Sequence, residues 1–468
     1  MDFSNDLSVI ILAAGKGKRM KSENPKVLHK ICGRPIIYYI LKQIEALDPK
    51  NIITVIGYKK EQVRKYLEES FPEIRTVDQD EQAGTAHAVL MADKYFPKMC
   101  KNILVLSGDS PLITSDTLKS LIDLREEKNL SVSILTSISD DPYGYGRIIK
   151  DRSGKILKIV EEVDATPEEK EIDEVNSSIY CFEKETLIEN IGKIGAGNAQ
   201  GEYYLTDMIE MFIDKGKKVA SFTVYDHDEA SGINDRVQLA LAEESIRDRI
   251  NKRHMKNGVT IRNPSSVFIE DAVIIEADAV IESSCFLNGS TVIEKEANIG
   301  PFSQITDSRI AQNTVVNSSV IMGAEIGPEN NIGPYSYIRP NTVTGRRVKI
   351  GAFCEVKRSS IGEGSKVPHL SYIGDTEMGS GVNIGASSVT VNYNGFSKLK
   401  TIIEDDVFIG SDTMLIAPIR IGEGAIVAAG SVVTRDVPGD ALAIERAKQK
   451  NIGKGAIKYR NRKNIDRE

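Results

Sequence analysis

Apolar and polar residues follow one pattern over residues 1–225. Short, continuous apolar runs alternate there with longer segments in which apolar residues recur with the period of a helix. Continuous β-branched runs are typical of strands buried on both faces, and amphipathic segments are typical of the helices that cover them. The alternation therefore predicts an α/β domain with a mainly parallel, Rossmann-like sheet. The predicted strands cover residues 9–12, 52–56, 103–106, 132–136 and 219–224, and the predicted helices cover residues 36–47, 60–69, 86–95, 114–128 and 205–215.

A second pattern begins at about Gly258, where Ile-Gly dipeptides recur and apolar residues step by six, as at Ile326, Ile332 and Ile338. A helix cannot keep a six-residue period on one face. A parallel β-helix of hexapeptide repeats places one such residue inward on each flat side. Chance spacing within an irregular β domain is the alternative, but the pattern extends over about 150 residues.

The segment between the two patterns, residues 234–254, carries many charges and no glycine or proline. With a candidate N-cap at its start, it predicts a solvated connecting helix. The repeat pattern breaks once, at residues 391–400, which is either a functional loop or a tolerated insertion. The basic tail from Arg446 is either solvated or helps to hold a phosphate-bearing ligand. The expected divisions are an N-terminal domain (1–233), a connecting segment (234–257) and a hexapeptide-repeat domain with a basic tail (258–468).

The composition limits the cellular locations and the kinds of partner that we expect for the chain. It has 468 residues, 41% of them hydrophobic and 27% charged, so two or three globular domains are expected. The net charge of −7 argues against general nucleic-acid binding. We expect no membrane association, because no apolar run approaches the ~20 residues of a membrane span and no signal peptide is recognisable. The five widely spaced cysteines suit free thiols in a reducing cytoplasm better than disulfides or a zinc site.

The loop after the first predicted strand carries candidate phosphate chemistry. Residues 12–20 are Leu-Ala-Ala-Gly-Lys-Gly-Lys-Arg-Met, and Pro25-Lys26 follow. A glycine-rich turn after a buried strand can direct backbone N–H groups at a phosphate, and Lys and Arg side chains neutralise its charge. The spacing fits neither a Walker A loop nor the dinucleotide fingerprint, whose third glycine is replaced by Met20. An ordinary basic turn is the alternative.

Asp109 lies in a turn, Ser107-Gly108-Asp109-Ser110-Pro111, directly after another apolar strand. A lone carboxylate at a strand end is a natural ligand for Mg²⁺, which takes few protein oxygens and completes its shell with phosphates and water. Capping of the following turn is an alternative of equal weight.

Motifs in both halves follow one another in a characteristic order. Those of the first half are residues 12–20 with Pro25-Lys26, 79–87, 108–111, 145–148 and 159–161. They resemble the sugar-1-phosphate nucleotidylyltransferases. Those of the second half are residues 337–340, 355–357, 369–375, 383–386 and 392–393. The whole ordered set resembles the family of bifunctional UDP-N-acetylglucosamine pyrophosphorylase/glucosamine-1-phosphate N-acetyltransferases, and the resemblance covers nearly the whole chain.

For the first half, the resemblance implies transfer of a uridylyl group from UTP to a sugar 1-phosphate. In-line attack on the α-phosphorus needs positioning and charge neutralisation more than a protein nucleophile. The resemblance also implies a Mg²⁺ cofactor, bound by Asp109 and Asn234. The implied binding residues are Leu12, Ala13, Ala14 and Gly15 through their backbone, Arg19 and Lys26 on the phosphates, Gln79, Gln82, Gly84 and Thr85 on the uracil, Ser107 and Gly108 in the same site, and Gly146, Glu161 and Asn176 on the sugar.

For the second half, the resemblance implies transfer of an acetyl group from acetyl-CoA to the amine of glucosamine 1-phosphate. The amine must lose a proton, and a histidine suits that task at neutral pH. A lone histidine is more often structural than catalytic. His369, however, is the only histidine in the repeats, and it has polar neighbours. The resemblance makes it the general base. Arg339 and Lys357 are implied to clamp the sugar phosphate, Tyr372 and Asn383 to position the sugar, Ala386, Ser411, Ala429 and Arg446 to line the acetyl-CoA groove, and Asn392, Tyr393 and Lys398 to close the site.

The resemblance further implies a left-handed β-helix, a homotrimer with sites between subunits, and a product used for peptidoglycan and lipopolysaccharide precursors. One alternative is a monofunctional nucleotidylyltransferase whose β-helix only oligomerises or regulates. A non-catalytic scaffold is another. The set of Arg339, Lys357, His369 and Tyr372 argues against the first, because a structural coil has no need of it. The loop at residues 15–26 and Asp109 argue against the second.

Overall fold

A computed structural model of the chain describes residues 6–462 and separates into two compact units, Met1–Arg249 and Ile250–Glu468. The boundary between the units falls inside a single helix, Arg236–Lys256. This helix begins two residues after the predicted start, because the Asp235 carboxylate caps it by accepting the N–H groups of Val237 and Gln238, each at 2.9 Å. Among the described residues, no helix is both long and apolar enough to cross a bilayer.

The first unit alternates strands and helices along the chain. Its strands are β1 (Leu7–Ala13), β2 (Lys30–Ile31), β3 (Arg34–Pro35), β4 (Asn51–Ile56), β5 (Arg75–Asp78), β6 (Asn102–Ser107), β7 (Val132–Ile138), β8 (Arg147–Lys150), β9 (Ile156–Val160), β10 (Glu174–Glu183) and β11 (Val219–Val224). Its helices are α1 (Ile36–Glu45), α2 (Lys60–Ser70), α3 (Thr85–Ala92), α4 (Ser115–Glu127), α5 (Pro167–Lys170), α6 (Lys184–Ile191), α7 (Asp207–Asp214), α8 (His227–Ala230) and α9 (Arg236–Lys256), with 3₁₀ turns at Lys18–Met20, Lys26–Leu28 and Asp93–Tyr95.

The main sheet has the order β11-β7-β10-β6-β1-β4-β5 and is parallel except at β10, which pairs antiparallel with both β6 and β7. The hairpin of β8 and β9 is attached to β10. The predicted α/β class is confirmed, and each predicted strand and helix overlaps an observed one. The prediction missed β2, β3, β5, β8, β9 and β10, whose short or polar-interrupted sequences lack a continuous apolar run. It also missed the short helices α5, α6 and α8.

The core of the first unit lies on both sides of this sheet. Ile10 of β1, Ile53 of β4, Val105 of β6 and Phe182 of β10 are fully buried. When a strand is covered on both faces, the side chains on both faces are apolar. These strands therefore appear in the sequence as continuous apolar runs. The sheet therefore holds the carboxyl ends of β1 and β6 side by side, in register from Leu7 with Asn102 to Leu12 with Ser107.

The second unit is a parallel β-helix with three flat faces. The first face contains Thr260–Ile261, Val280–Ile281, Asn298–Ile299, Val315–Val316, Asn331–Ile332, Lys349–Ala352, Lys366–His369, Asn383–Ile384, Phe408–Ile409, Ile426–Val427 and Leu442–Ala443. The second face contains Phe268–Ile269, Phe286–Asn288, Gln304–Thr306, Val320–Met322, Tyr337–Ile338, Glu355–Lys357, Tyr372–Gly374, Val389–Val391, Met414–Ile416 and Val432–Val433. The third face contains Ile274–Ile275, Val292–Ile293, Arg309–Ile310, Glu325–Ile326, Val343–Thr344, Ser360–Ile361, Thr376–Met378, Thr401–Ile403 and Ile419–Ile421.

The six-residue step is the distance from one face to the next. Leu287, Ile293, Ile299 and Ile305 lie on the second, third, first and second faces in turn, and all four are fully buried. Neighbouring coils stack in parallel register, as Ile332 does with Ile350. The predicted fold class, a left-handed parallel β-helix of hexapeptide repeats, is confirmed.

Two irregular segments of this unit had been singled out in the sequence. The segment 391–400 leaves the coil after the strand Val389–Val391 and returns at Thr401–Ile403, with one bridge between Tyr393 and Lys398. The basic tail contains a helix, Gly455–Arg462, and its residues 463–468 lie outside the described part of the chain.

Candidate active sites

A cleft of about 540 Å³ opens at the carboxyl ends of β1 and β6 in the first unit. In open α/β sheets this edge is where ligands bind, because the loops that follow neighbouring parallel strands meet there. The predicted residues that line the cleft are Leu12, Ala13, Ala14, Gly15, Arg19, Lys26, Gln79, Gln82, Gly84, Thr85, Ser107, Asp109 and Asn234. They come from segments far apart in the sequence, and the sheet brings them together.

The loop after β1 contains a residue whose backbone conformation only glycine adopts easily. Gly17 has φ = +61°, and a Cβ built there would lie 2.8 Å from the Lys26 Cβ. The chain then turns into the 3₁₀ segment Lys18–Met20, which buries Met20 and leaves Arg19 exposed at the cleft. Gly17 therefore allows Lys26 to pack closely against the turn.

The loop between β5 and α3 is held against two other segments. The Gln79 amide donates to the Gly84 carbonyl (3.0 Å) and pairs with His87 Nδ1 (3.1 Å), while the Gln82 amide donates to the Ala14 carbonyl (3.0 Å). Gly84 has φ = +113°, and a Cβ there would lie 2.5 Å from the carbonyl oxygen of Tyr203. In this structure both glutamine side chains therefore shape the loop itself. His87, which had no predicted role, shares in that task.

Asp109 and Asn234 direct their side-chain oxygens at one cationic nitrogen. Lys26 Nζ forms an ion pair with Asp109 Oδ2 and lies 3.2 Å from Asn234 Oδ1. The Ser107 hydroxyl donates to Asp109 Oδ1 (2.7 Å), which fixes the carboxylate. A carboxylate oxygen and an amide oxygen converging on a positive charge are the ligand types that Mg²⁺ prefers.

A smaller cavity of about 150 Å³ continues from the cleft and contains the predicted sugar residues Gly146, Glu161 and Asn176. Glu161 Oε1 accepts a hydrogen bond from the Thr206 hydroxyl (3.2 Å), and burial raises the pKa of Glu161. Gly108 does not line either cavity. Its N–H donates to the Leu12 carbonyl (2.8 Å) beneath the cleft, so it spaces β1 from the turn at Asp109.

Sequence reasoning missed several residues of this site. Gln200 and Glu202 line the cleft, Tyr145 lines the smaller cavity, and Ser178 touches both. Ser178 reaches the cleft because β10 shifts register between Asn176 and Tyr180, where Ser178 has φ = +59°. The run of β-branched and aromatic residues at 175–182 was the available indication of a strand, but the polar residues 176–178 interrupt it.

The predicted phosphate clamp of the second unit lies on the second face. Arg339 donates to Glu355 Oε1 (2.8 Å), and its guanidinium lies 5.6 Å from the centre of the Tyr337 ring. Lys357 lies one coil further on. Lys398, which comes from the segment 391–400, lies beside Lys357 and lowers its pKa, and Arg339 and Arg358 act in the same direction. The excursion from the coil thus adds a cation to an already positive patch.

Tyr372 and Asn392 are also brought together, since the Asn392 amide donates to the Tyr372 hydroxyl (3.3 Å). Asn383 lies on the first face in register with Lys366 and Phe408. The side chain of Tyr393 is exposed, and its hydroxyl donates to the Gly395 carbonyl (2.7 Å).

His369 stands at the head of a column along one corner of the β-helix. It ends the strand Lys366–His369, three residues after Lys366. The strands Asn383–Ile384, Phe408–Ile409 and Ile426–Val427 occupy the next coils of the same face. Three residues beyond the start of each come Ala386, Ser411 and Ala429, so small residues follow His369 along the corner. Arg446 lies at the end of the column and donates a hydrogen bond to the Ala429 carbonyl (2.8 Å). Within the described part of the chain, the exposed His369 ring has no hydrogen-bond partner.

Comparison with known proteins covers both units. Residues 8–228 match the family described as "Nucleotidyl transferase", and residues 400–435 match "Bacterial transferase hexapeptide (six repeats)".

Curated relatives align over nearly the whole chain. The "Bifunctional protein GlmU" of Carboxydothermus hydrogenoformans is 48% identical over 442 residues, which cover 94% of this chain and 98% of the relative. The protein of the same name from Thermoanaerobacter pseudethanolicus is 48% identical over 445 residues, covering 95% and 96%. That of Streptococcus thermophilus (strain LMD-9) is 45% identical over 449 residues, covering 96% and 97%.

Proposed function

This chain belongs to the family of bifunctional GlmU proteins, and from that premise we propose that it makes UDP-N-acetylglucosamine in two successive reactions. The second unit transfers the acetyl group of acetyl-CoA to the amine of glucosamine 1-phosphate. The first unit then transfers a uridylyl group from UTP to the N-acetylglucosamine 1-phosphate and releases pyrophosphate. The product supplies peptidoglycan and lipopolysaccharide precursors. The monofunctional alternative is disfavoured because relatives named bifunctional align over both units.

The observation that carries the two-reaction proposal is the positive patch of the β-helix. Arg339, Arg358 and Lys398 all act electrostatically on Lys357 at the end of the second face. Like charges so close together destabilise a coil that has only a structural role, and they suit a dianionic sugar phosphate. Arg339 and Lys357 hold that phosphate in our proposal, and Lys398 covers it from the excursion 391–400.

For acetyl transfer, the proposed general base is His369. Its ring is exposed and uncommitted within residues 6–462, so it can accept the proton of the substrate ammonium. The deprotonated amine then attacks the thioester carbonyl, and coenzyme A leaves as its thiol. Tyr372 and Asn383 position the sugar, and Asn392 and Tyr393 border the entry of acetyl-CoA. The column of Ala386, Ser411 and Ala429 gives the cofactor a shallow groove, because small side chains leave room beside the corner.

For uridylyl transfer, the proposed roles follow the walls of the first cleft. The backbone of residues 12–15 and the cations Arg19 and Lys26 hold the triphosphate. The loop of Gln79, Gln82, Gly84 and Thr85 reads the uracil, with Ser107 and Gly108 beneath it. In the smaller cavity Gly146, Glu161 and Asn176 hold the sugar, which places its phosphate oxygen for in-line attack on the α-phosphorus.

We assign Mg²⁺ to Asp109 and Asn234. Their oxygens converge on Lys26 Nζ, and that convergence is the fit expected for a small hard cation. A metal held by these two oxygens would neutralise charge that develops on the α-phosphate and pyrophosphate. Lys26 binds the phosphates in this proposal, and Ser107 keeps Asp109 oriented.

The assembly we propose is a homotrimer formed through the β-helix. Large apolar residues occupy one corner in the left-handed backbone region, and they are 59–71% exposed: Phe302, Tyr335, Phe353 and Leu370. The rings of Tyr335 and Phe353 stack at 5.4 Å. Bulky residues at positive φ are strained, and their exposure supports our proposal of contact with another copy of the chain. Leu370 follows His369 directly, so the proposed general base is next in sequence to a residue of the proposed contact.

The assembly is tested by sedimentation velocity. We expect Phe353→Ser to dissociate the oligomer and lower acetyl transfer, while Phe286→Ser, an exposed aromatic residue on another part of the β-helix, leaves the trimer intact. A monomeric parent protein would overturn the assignment.

We place the enzyme in the cytoplasm, where all five buried cysteines stay reduced. The test of both reactions is one assay with glucosamine 1-phosphate, acetyl-CoA, UTP and Mg²⁺. We expect UDP-N-acetylglucosamine, coenzyme A and pyrophosphate. Product formed only when N-acetylglucosamine 1-phosphate is supplied would leave a monofunctional uridylyltransferase.

A further inference from the structure

Asp375 occupies a corner of the β-helix that is packed unusually tightly. It lies between the strands Tyr372–Gly374 and Thr376–Met378, with φ = +52°. At the preceding Gly374, a Cβ would lie 2.5 Å from the Tyr372 hydroxyl and 2.6 Å from the Asn392 amide nitrogen. The corner therefore has room for those two polar groups only because residue 374 lacks a side chain.

The Asp375 carboxylate is held by a planar two-point contact. Arg358 Nε lies 2.7 Å from Oδ1, and the Arg358 NH2 nitrogen lies 2.9 Å from Oδ2. Such a fork fixes the plane of the carboxylate as well as its position. Burial works to raise the pKa of Asp375, but Arg358 and Asn392 outweigh it and hold the pKa below its usual value.

Asp375 also forms hydrogen bonds at both ends of the segment 391–400. Its Oδ2 accepts the side-chain amide of Asn392, which begins the excursion. Its backbone carbonyl accepts the N–H of Thr401, which ends the excursion, at 3.1 Å. The segment between them carries Lys398, whose charge acts on both Lys357 and Asp375. One residue thus connects the positive patch with the loop that covers it.

We propose that Asp375, oriented by Arg358, is a positioning residue that fixes the segment 391–400 over the acetyl-transfer site. It acts through Asn392, which in turn contacts Tyr372, and through the backbone of Thr401. The inference rests on the proposed function for the identity of that site. The anchoring itself follows from the contacts, and it has a readout that is independent of acetyl transfer.

The experiment compares the parent enzyme with Asp375→Ala and Arg358→Gln. We expect each variant to lower acetyl-transfer kcat/KM for acetyl-CoA by about 10²-fold, since a displaced binding loop costs that much. Trypsin cleavage after Lys398 and Lys400 should accelerate by about tenfold, because the loop opens more often. The double variant should be no worse than Asp375→Ala, because the two residues act through each other.

Asp307→Ala is the matched control. Asp307 follows the strand Gln304–Thr306 at the same corner, has φ = +48°, and accepts the N–H of Ser290 at 2.9 Å. We expect its variant to leave acetyl transfer and loop cleavage unchanged. Uridylyl transfer should persist in all variants and reports that the first unit is folded. If Asp375→Ala does not fold, Arg358→Gln, which removes only the side-chain fork, decides the question.

The inference is overturned if loop cleavage is unchanged in both variants, or if Asp307→Ala gives the same losses. A parent enzyme without acetyl transfer would instead overturn the proposed function. The cleavage rates would then still decide whether Asp375 anchors the loop.

Discussion

In the β-helix, residues that become neighbours are one coil apart in the chain, whereas the cleft of the first unit joins segments from residue 12 to residue 234. Lys357 pairs in register with Gly374, and Ala352 with His369, so the residues proposed for acetyl transfer form columns along faces and corners. In the first unit, the strand order β11-β7-β10-β6-β1-β4-β5 decides which loops meet. In a repeat, the spacing of residues along the sequence predicts which of them are neighbours in space. In an open α/β sheet it does not.

The strongest test of the separation between the two proposed sites is the removal of the Asp109 carboxylate at the cleft. Asp109→Ala should lower uridylyl transfer by about 10³-fold or more, since losing the proposed metal ligand costs several kcal/mol in the transition state. Acetyl transfer should remain at the parent level. Each half-reaction is assayed separately, with N-acetylglucosamine 1-phosphate and UTP for the first unit. A parallel loss of both activities would show that the two sites are not independent.

The reciprocal change is His369→Ala. Removal of a general base lowers acetyl transfer by about 10²-fold or more. Uridylyl transfer should be unaffected. A variant with parent-like acetyl transfer would remove His369 from the mechanism.

Acid should weaken the second unit through His254, which burial leaves with a pKa of about 4. In the unfolded chain a histidine titrates near 6.5, so between these values only the unfolded state holds the proton. The stabilisation is present above pH 6.5 and is lost by about 1.4 kcal/mol per pH unit as the pH falls toward 4.

Urea unfolding at pH 4.5–7 measures this loss. We expect His254→Leu to flatten the pH dependence and Lys256→Gln, an exposed neighbour on the same helix, to leave it unchanged. Equal slopes in the parent and in His254→Leu would contradict the assignment.

The smallest expected effect concerns the loop of the first unit. Gly84→Ala should raise the KM for UTP by about tenfold, because the added Cβ meets the Tyr203 backbone and the backbone at φ = +113° is strained. Gly154→Ala is the control, since Gly154 also has a positive φ (+83°) but no atom within 4 Å of a built Cβ. A KM unchanged in Gly84→Ala would mean that the loop does not contact the nucleotide.

The fold was largely predictable, and for different reasons in the two units. The six-residue period predicted the β-helix because every inward residue, such as Ile299 or Ile350, repeats the same local environment. In the first unit, continuous apolar runs predicted β1, β4, β6, β7 and β11. They did not predict β10, because the polar residues Asn176, Ser177 and Ser178 line the smaller cavity and break the apolar run.

The site residues themselves were named from ordered motifs, and their assignment stays a prediction. The structure adds how these residues are held. Gln79 and Gln82 bond to backbone carbonyls of their surroundings, and Ser107 orients Asp109. Sequence reasoning could not assign a role to Arg358 or Gln200, since neither stands out from the many charged and polar surface residues of the chain.

The sequence by itself determined the two folds and the chemical groups available to each, because periodicity and local turn chemistry are properties of neighbouring residues. Only the tertiary structure decided that Lys26 lies between Asp109 and Asn234 and that Asp375 connects Arg358 with Asn392. These contacts join residues 17 to 208 positions apart. They depend on strand order and register, which no local pattern encodes.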